Sequence, residues 1–302
     1  MPSLYTQKSE SIRKTWILFT GFFIIVIGAG WVFSQAYGNP GILYFAVIFS
    51  TLMSFFSYWY SDKLVLKMYR AKPVEMKDNP ELYRIVENLA ITAGLPMPKV
   101  YVVPEQAPNA FATGRDPKHA VVAVTEGLLG RLDRTELEGV LAHELGHIGN
   151  RDMLLSTMVV VLVGFISILA DIFMRSALWG GVRDSDDNRA GGIMILIAIA
   201  FSILAPIAAI LIQLAISRRR EFLADSTGAL LTRYPEGLAK ALEKISHDPT
   251  PMRRATSTTA HLWFDDPFES EGQKKKTPWY HKAFMTHPPV EERVGALRDL
   301  RI

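Results

Sequence analysis

Four apolar stretches constrain this chain more than anything else: residues 16–36, 41–61, 153–174 and 193–216 carry no charged side chain except Asp171, near the end of the third. Each is about 20 residues or slightly longer, enough for an α-helix to cross a hydrocarbon core of roughly 30 Å. With 49% of all residues hydrophobic, the chain is rich in apolar side chains for a soluble protein. The first two stretches, joined by Tyr37-Gly38-Asn39-Pro40, read as a helical hairpin. A cleaved signal peptide competes for the first stretch, because Ser34 and Ala36 are small, but the apolar run is long for that role. For the second pair the competing reading is two buried core helices. The hydrophilic link at 175–192 and the closing Arg218-Arg219-Arg220 favour a second membrane hairpin.

Lys63, Lys67, Arg70 and Lys72 follow the second stretch, so the positive-inside rule sets that segment and the N-terminus in the cytoplasm. The expected organisation is a transmembrane hairpin in 1–72, a first catalytic part in 73–152, a second hairpin in 153–216 and a second catalytic part in 217–302. Within the first part, Asn79-Pro80 is an N-cap followed by proline at the first helical position. Leu82, Ile85, Val86, Leu89 and Ala90 then keep helical spacing up to Gly94. Residues 99–103, 109–113 and 119–125 are short β-prone runs between Pro and Gly, expected as strands of a small antiparallel sheet. The fold class is therefore an α-helical integral membrane protein with a cytoplasmic α+β domain, mainly α.

The chemistry is concentrated in His143-Glu144-Leu145-Gly146-His147. Thr135 and Glu138 have capping-box spacing, and Leu137, Val140, Leu141, Leu145 and Ile148 give the following helix an apolar stripe. On a helix, residues four apart share a face and the next residue points about 100° round. Two imidazoles at that spacing with an adjacent carboxylate suit a zinc site with its own general base. The same residues could be two packed histidines flanking a surface glutamate, a reading the helical context disfavours. The chain has no cysteine, which excludes thiolate ligands and leaves His, Asp and Glu. A third ligand is offered by Glu221 and Asp225, four apart just after the fourth stretch. One can reach the metal and the other can hydrogen-bond an imidazole. Alone, they are as simply an acidic pair neutralised by Arg218–Arg220. A net charge of +3 without a continuous basic face gives no nucleic-acid footprint.

Past the pair, residues 235–245 read as a helix and 247–280 as a long loop, whose Lys274-Lys275-Lys276 suits a solvated or lipid-headgroup-facing patch. Residues 286–293 open a terminal helix, and from spacing alone His287 fits a capping or a catalytic role equally well.

In combination with their order between apolar stretches, His143–His147, Arg219–Asp225, Asn109–Gly114 and Thr286–Arg293 make the chain resemble the HtpX-type membrane zinc endopeptidases, bacterial relatives of the CAAX prenyl endopeptidases. The resemblance spans nearly the whole chain. It implies a zincin-like (gluzincin) catalytic domain with one zinc ion held by His143, His147 and Glu221, and Glu144 as catalytic base. It also implies Asp225 as a supporting carboxylate, Asn109 on an edge strand that pairs with substrate, and His287 and Arg293 as groups that bind the oxyanion or substrate carbonyl. Its expected setting is the bacterial inner membrane, with misfolded or damaged membrane proteins cut on the cytoplasmic side. The rival is a non-catalytic zinc-binding membrane scaffold, which would need a fourth protein ligand where catalysis needs an open position.

Overall fold

The computed structural model describes residues 4–180, 218–255, 259–265 and 288–300. The fourth apolar stretch, most of the 175–192 link, Lys274–Lys276 and His287 lie outside them.

Two long helices lead the chain, α1 (Leu4–Tyr37) and α2 (Gly41–Met68). Gly38, at φ +62°, ends α1, and the Asn39 N–H reaches back to the Ser34 carbonyl at 3.0 Å, a left-handed glycine cap. The two helices approach closely through small residues: a methyl on Gly30 would overlap Ala46, and Ser50, Ser54, Ser57 and Ser61 form the buried face of α2. Its opposite face exposes Tyr44, Phe45, Ile48, Leu52, Phe55 and Phe56. Among the described residues, α2 is the one helix long and apolar enough on its own to cross a membrane.

Next come β1 (Lys72–Pro73), α3 (Pro80–Thr92), β2 (Lys99–Val103), β3 (Ala110–Thr113), β4 (Val121–Thr125), α4 (Glu126–Arg131), α5 (Arg134–Asn150) and α6 (Asp152–Gly180). Beyond 217 follow α7 (Arg218–Thr232), α8 (Pro235–Ser246) and α9 (Val290–Arg298). The Asn79 side chain caps α3 by accepting from the Leu82 N–H at 3.0 Å, as its sequence predicts.

The sheet corrects the expectation of antiparallel strands. Its order is β1-β2-β4-β3, with β1–β2 and β3–β4 antiparallel but the central β2–β4 pair parallel. After β2 the chain crosses to the far edge as β3 and returns between them as β4. Strand direction was illegible because β4, Val-Val-Ala-Val-Thr, is buried on both faces and shows no polar alternation. Val122, Val124, Ala110 and Ala112 face the core shared with α3, α5 and α8. Val121, Ala123 and Phe111 face Tyr69, Trp263 and the end of α2.

The start of α5 is the second correction. Its capping box is Asp133 with Glu136, two residues before the Thr135–Glu138 pair of like spacing. Asp133 Oδ1 accepts from the Thr135 and Glu136 N–H groups, and Glu136 Oε2 accepts from the Asp133 N–H. Glu136 also takes Lys244 Nζ at 2.7 Å, which a buried carboxylate needs.

β3 is held in register by Thr125, whose hydroxyl accepts from the Asn109 and Leu128 N–H groups and donates to the Ala107 carbonyl. Thr125 is fully buried, so Thr125→Val would strand three backbone groups without water. The expected loss is about 3 kcal/mol, read as a lower unfolding midpoint in denaturant.

Candidate metal centre

α5 is buried along nearly its whole length, so its histidines are fixed by packing as well as by helix geometry. It runs antiparallel to α7, and glycines let the backbones touch. A methyl on Gly228 would stand 2.9 Å from the His143 nitrogen, and one on Gly146 would stand 3.3 Å from Ala224 Cα. Asp225 and Glu221 lie one and two turns back from Gly228 on α7, so this contact delivers both carboxylates to the imidazoles.

Three ligand atoms converge. His143 Nε2 and His147 Nε2 are 3.1 Å apart, and Glu221 lies 3.7 Å from each through its two oxygens. All three offer ligand atoms within 4.8 Å of one another. The opposite ring nitrogens are both engaged: His143 Nδ1 meets Asp225 Oδ1 at 2.8 Å, and His147 Nδ1 meets Asp152 Oδ2 at 3.3 Å. Carboxylates on the two Nδ1 atoms leave the two Nε2 lone pairs facing each other beside a third anionic donor. Such a donor set calls for a positive charge among its atoms, supplied by a proton shared between the two Nε2 atoms or by a metal, and its N,N,O chemistry suits zinc.

The electrostatics point the same way. Burial holds His143 down at about 4, against the pull of Asp225, so the ring is neutral. Burial also disfavours charge on His147, but Glu221 and then Asp152 outweigh it and raise that ring to about 9. A strong preference for positive charge between His147 and Glu221 is what a cation site requires. Glu144, only 3% exposed, is buried on the same helix and adds to the field on His147.

Asp225 is held in turn. Arg293, 0% exposed, donates to both its oxygens, from Nε at 2.9 Å and Nη2 at 2.7 Å, and its Nη1 donates to the Phe264 carbonyl at 3.2 Å. Burial would raise the Asp225 carboxyl, yet the Arg293 charge and hydrogen bonds hold it below the usual range. The Phe264 ring lies 4.9 Å from the Arg293 guanidinium and meets His143 edge-on at 5.0 Å. The Phe264 N–H donates to the Ala110 carbonyl, while the Asn109 side chain pairs with both backbone groups of Asp265.

The structure thus brings His143, Glu144, His147, Glu221, Asp225 and Arg293 into one cluster, with Asn109 joined to it through residues 264 and 265. Sequence reading missed Asp152, Phe264 and the paired glycines. Asp152 carried a usable signal, since it opens the helix five residues after His147. Arg151 makes that helix start possible. It adopts φ +59°, ψ +31°, closes α5, and turns the chain by 86° into α6.

With this geometry in view, similarity to known proteins is specific. Peptidase family M48 matches residues 76–301. The chain is 45% identical over 306 residues to an HtpX homolog protease of Caldanaerobacter subterraneus, covering 99% of each. It is 47% identical over 290 residues to one of Syntrophobacter fumaroxidans, covering 95% of this chain and 98% of the relative. An HtpX homolog protease of Thermococcus sibiricus is 49% identical over 268 residues, covering 87% and 88%. The crystal structure of S. mikatae Ste24p shares the fold at a TM-score of 0.53 and 20% identity, covering 95% of this chain and 67% of that one. The chain belongs to peptidase family M48. Within it, the chain belongs to the HtpX-type proteases.

Two outcomes test the architecture. Gly228→Ala must push α5 from α7 and should cut bound metal and activity more than Gly146→Ala, whose added methyl is tight at 3.3 Å from Ala224 Cα but needs only a few tenths of an ångström of give; metal analysis and peptide cleavage measure both. Arg293→Met leaves Asp225 charged and buried, and should lower stability by about 3–5 kcal/mol in denaturant unfolding.

Proposed function

We propose that the protein is a membrane-embedded zinc endopeptidase that hydrolyses peptide bonds of misfolded or damaged membrane proteins at the cytoplasmic face of a bacterial inner membrane. The observation that carries this reading is the convergence of His143 Nε2, His147 Nε2 and Glu221 beside a buried carboxylate, Glu144. Zinc, when bound by these three side chains, supplies a Lewis acid for water and for the scissile carbonyl. Glu144 takes the proton of the attacking water and passes it to the leaving amine. Asp225 and Asp152 keep the two imidazoles in the tautomer and orientation that ligation needs. Arg293 acts through Asp225 and Phe264, holding the site's shape from a position with no access to solvent. His287 is assigned to the oxyanion, on its place in the motif.

Substrate lies extended along β3, the sheet's edge strand. Asn109 bonds to β4 through its carbonyl, so by antiparallel parity the backbone groups of Ala110 and Ala112 point outward. Phe264 already takes the Ala110 carbonyl, and Ala112 is left to pair with an incoming peptide. Backbone pairing of this kind suits varied, unfolded sequences.

The membrane setting is supported by the order of residues on the exposed face of α2. Apolar side chains from Tyr44 to Phe56 give way to Trp59 and Tyr60 and then to Lys63. Lys63 lies over the Tyr60 ring at 4.9 Å, and Arg115 of the sheet domain lies over Trp59 at 4.6 Å. Apolar, aromatic, then cationic is the sequence of environments met on leaving a bilayer. This order supports a sheet domain just outside the bilayer and a metal site near the membrane surface.

The decisive comparison is Glu144→Gln against wild type, with zinc measured in both. The variant should keep its metal and lose at least about 100-fold in cleavage of casein or a fluorogenic peptide. Equal activity in the two proteins would defeat the reading. Glu221→Gln should instead lose zinc along with activity.

A further inference from the structure

The strand β3 lies at the edge of its sheet, yet all four of its residues are buried. Its outward backbone groups therefore need partners. Part of the cover is the chain's own residues 264 and 265. The Phe264 N–H donates to the Ala110 carbonyl at 2.8 Å, and the Ala110 N–H donates to Asn109 Oδ1 at 3.0 Å. The same Asn109 oxygen accepts from the Asp265 N–H at 3.1 Å, while Asn109 Nδ2 donates to the Asp265 carbonyl at 2.9 Å. Both outward groups of Ala110 are thus engaged within the protein. Those of Ala112, the next outward residue, meet no backbone partner among the described residues.

The covering segment is anchored on every side. Trp263 and Phe264 are each 1% exposed. The Trp263 indole donates to the Tyr69 hydroxyl at 3.1 Å and stands edge-on to Tyr69 and to Phe111 of β3, 4.8 Å from each. Just before it, His261 Nε2 meets the Ser156 carbonyl of α6 at 3.1 Å. Phe264 is held at both backbone groups, its N–H by Ala110 and its carbonyl by Arg293. Displacing the segment would uncover two large rings and take an acceptor from a buried guanidinium, a cost that one more pairing with substrate does not offset. At the other end of β3, the Thr113 and Thr157 hydroxyls meet at 2.8 Å, and Gly114, at φ +136°, turns the chain out of the strand.

We propose that Phe264 and Asp265, pinned by Asn109 and Arg293, form a fixed wall that ends the substrate cleft beside Ala110, so that a peptide pairs with the sheet through one residue, opposite Ala112. The proposal rests on the peptidase reading of the metal centre and on strand addition at β3. An antiparallel peptide residue opposite Ala112 exchanges two hydrogen bonds with it. Peptide residues two places away meet the wall on one side and the departing chain on the other. The Phe264 ring, 5.0 Å from His143, carries the wall up to the imidazoles. Pairing over one residue asks for only a short extended segment of substrate. Loops that join structured parts of a protein therefore qualify as well as long unfolded chains.

The full chain, purified with zinc, would be given a fluorogenic peptide that it cuts at one bond, and a series in which each other backbone amide is N-methylated in turn. Losing the donor opposite Ala112 should lower kcat/KM roughly tenfold, with less than about a twofold change two residues to either side. Comparable losses at two positions two residues apart mark an open edge and overturn the proposal, as does the absence of any sensitive position. A second measurement separates a wall from a strap that substrate pushes aside. In zinc-loaded Glu144→Gln with the unmodified peptide bound, followed by fluorescence anisotropy, hydrogen exchange at the Phe264 and Asp265 amides should stay as slow as in the free protein. Faster exchange there on binding overturns the wall. Failure of zinc-loaded wild type to cut any peptide would defeat the peptidase reading itself, a different result from cleavage with two sensitive positions.

Discussion

Arg293 is wholly removed from water, and a guanidinium in that position is tolerated only where oxygens are brought to it. Those oxygens come from distant stretches of chain: both carboxylate oxygens of Asp225 on α7, and the Phe264 carbonyl from the segment beside β3. Because Asp225 also holds His143, the pairing of one buried charge links the C-terminal helix, the edge of the sheet and the imidazoles of the candidate metal site. The candidate metal centre is consequently the meeting point of chain regions far apart in sequence. Its shape depends on all of them at once.

A second constraint is distance between backbones. Carboxylates on α7 reach imidazoles on α5 only because glycines at 146 and 228 remove the side chains that would hold the helices apart. Larger residues there would leave both motifs intact in sequence and separate them in space. The left-handed Arg151 adds the remaining element, a sharp turn that ends α5 just after His147 and starts α6 with Asp152 aimed at that ring. The same turn sends α6 past the edge of the sheet, where the Thr157 and Thr113 hydroxyls meet at 2.8 Å, and onto α1, where Leu18 and Phe22 meet Leu155, Val159 and Leu162.

Much of this is legible in the amino-acid sequence. The clustering of His143, His147, Glu221 and Asp225 follows from residue type and helical spacing joined to a family resemblance, since i to i+4 geometry is local and nearly independent of context. The hairpin of α1 and α2, the cap of α3 and the edge position of the Asn109 strand are legible in the same way. Strand direction is not, because a strand buried on both faces carries no alternation to orient it. Nor is the first residue of α5: two Asp/Thr-x-x-Glu boxes overlap there, and only the actual hydrogen bonds choose Asp133.

The spacing of His143, His147, Glu221 and Asp225 along their helices was determined by the sequence alone, because covalent geometry fixes which side chains share a face. The tertiary structure decided what those faces meet. Whether Arg293 is open to solvent or sealed beneath the imidazoles, and which edge carbonyl of β3 is already taken by Phe264, both depend on long-range packing. Packing is set by the sum of many weak contacts and by the few glycines that permit close approach, and no local pattern encodes that sum.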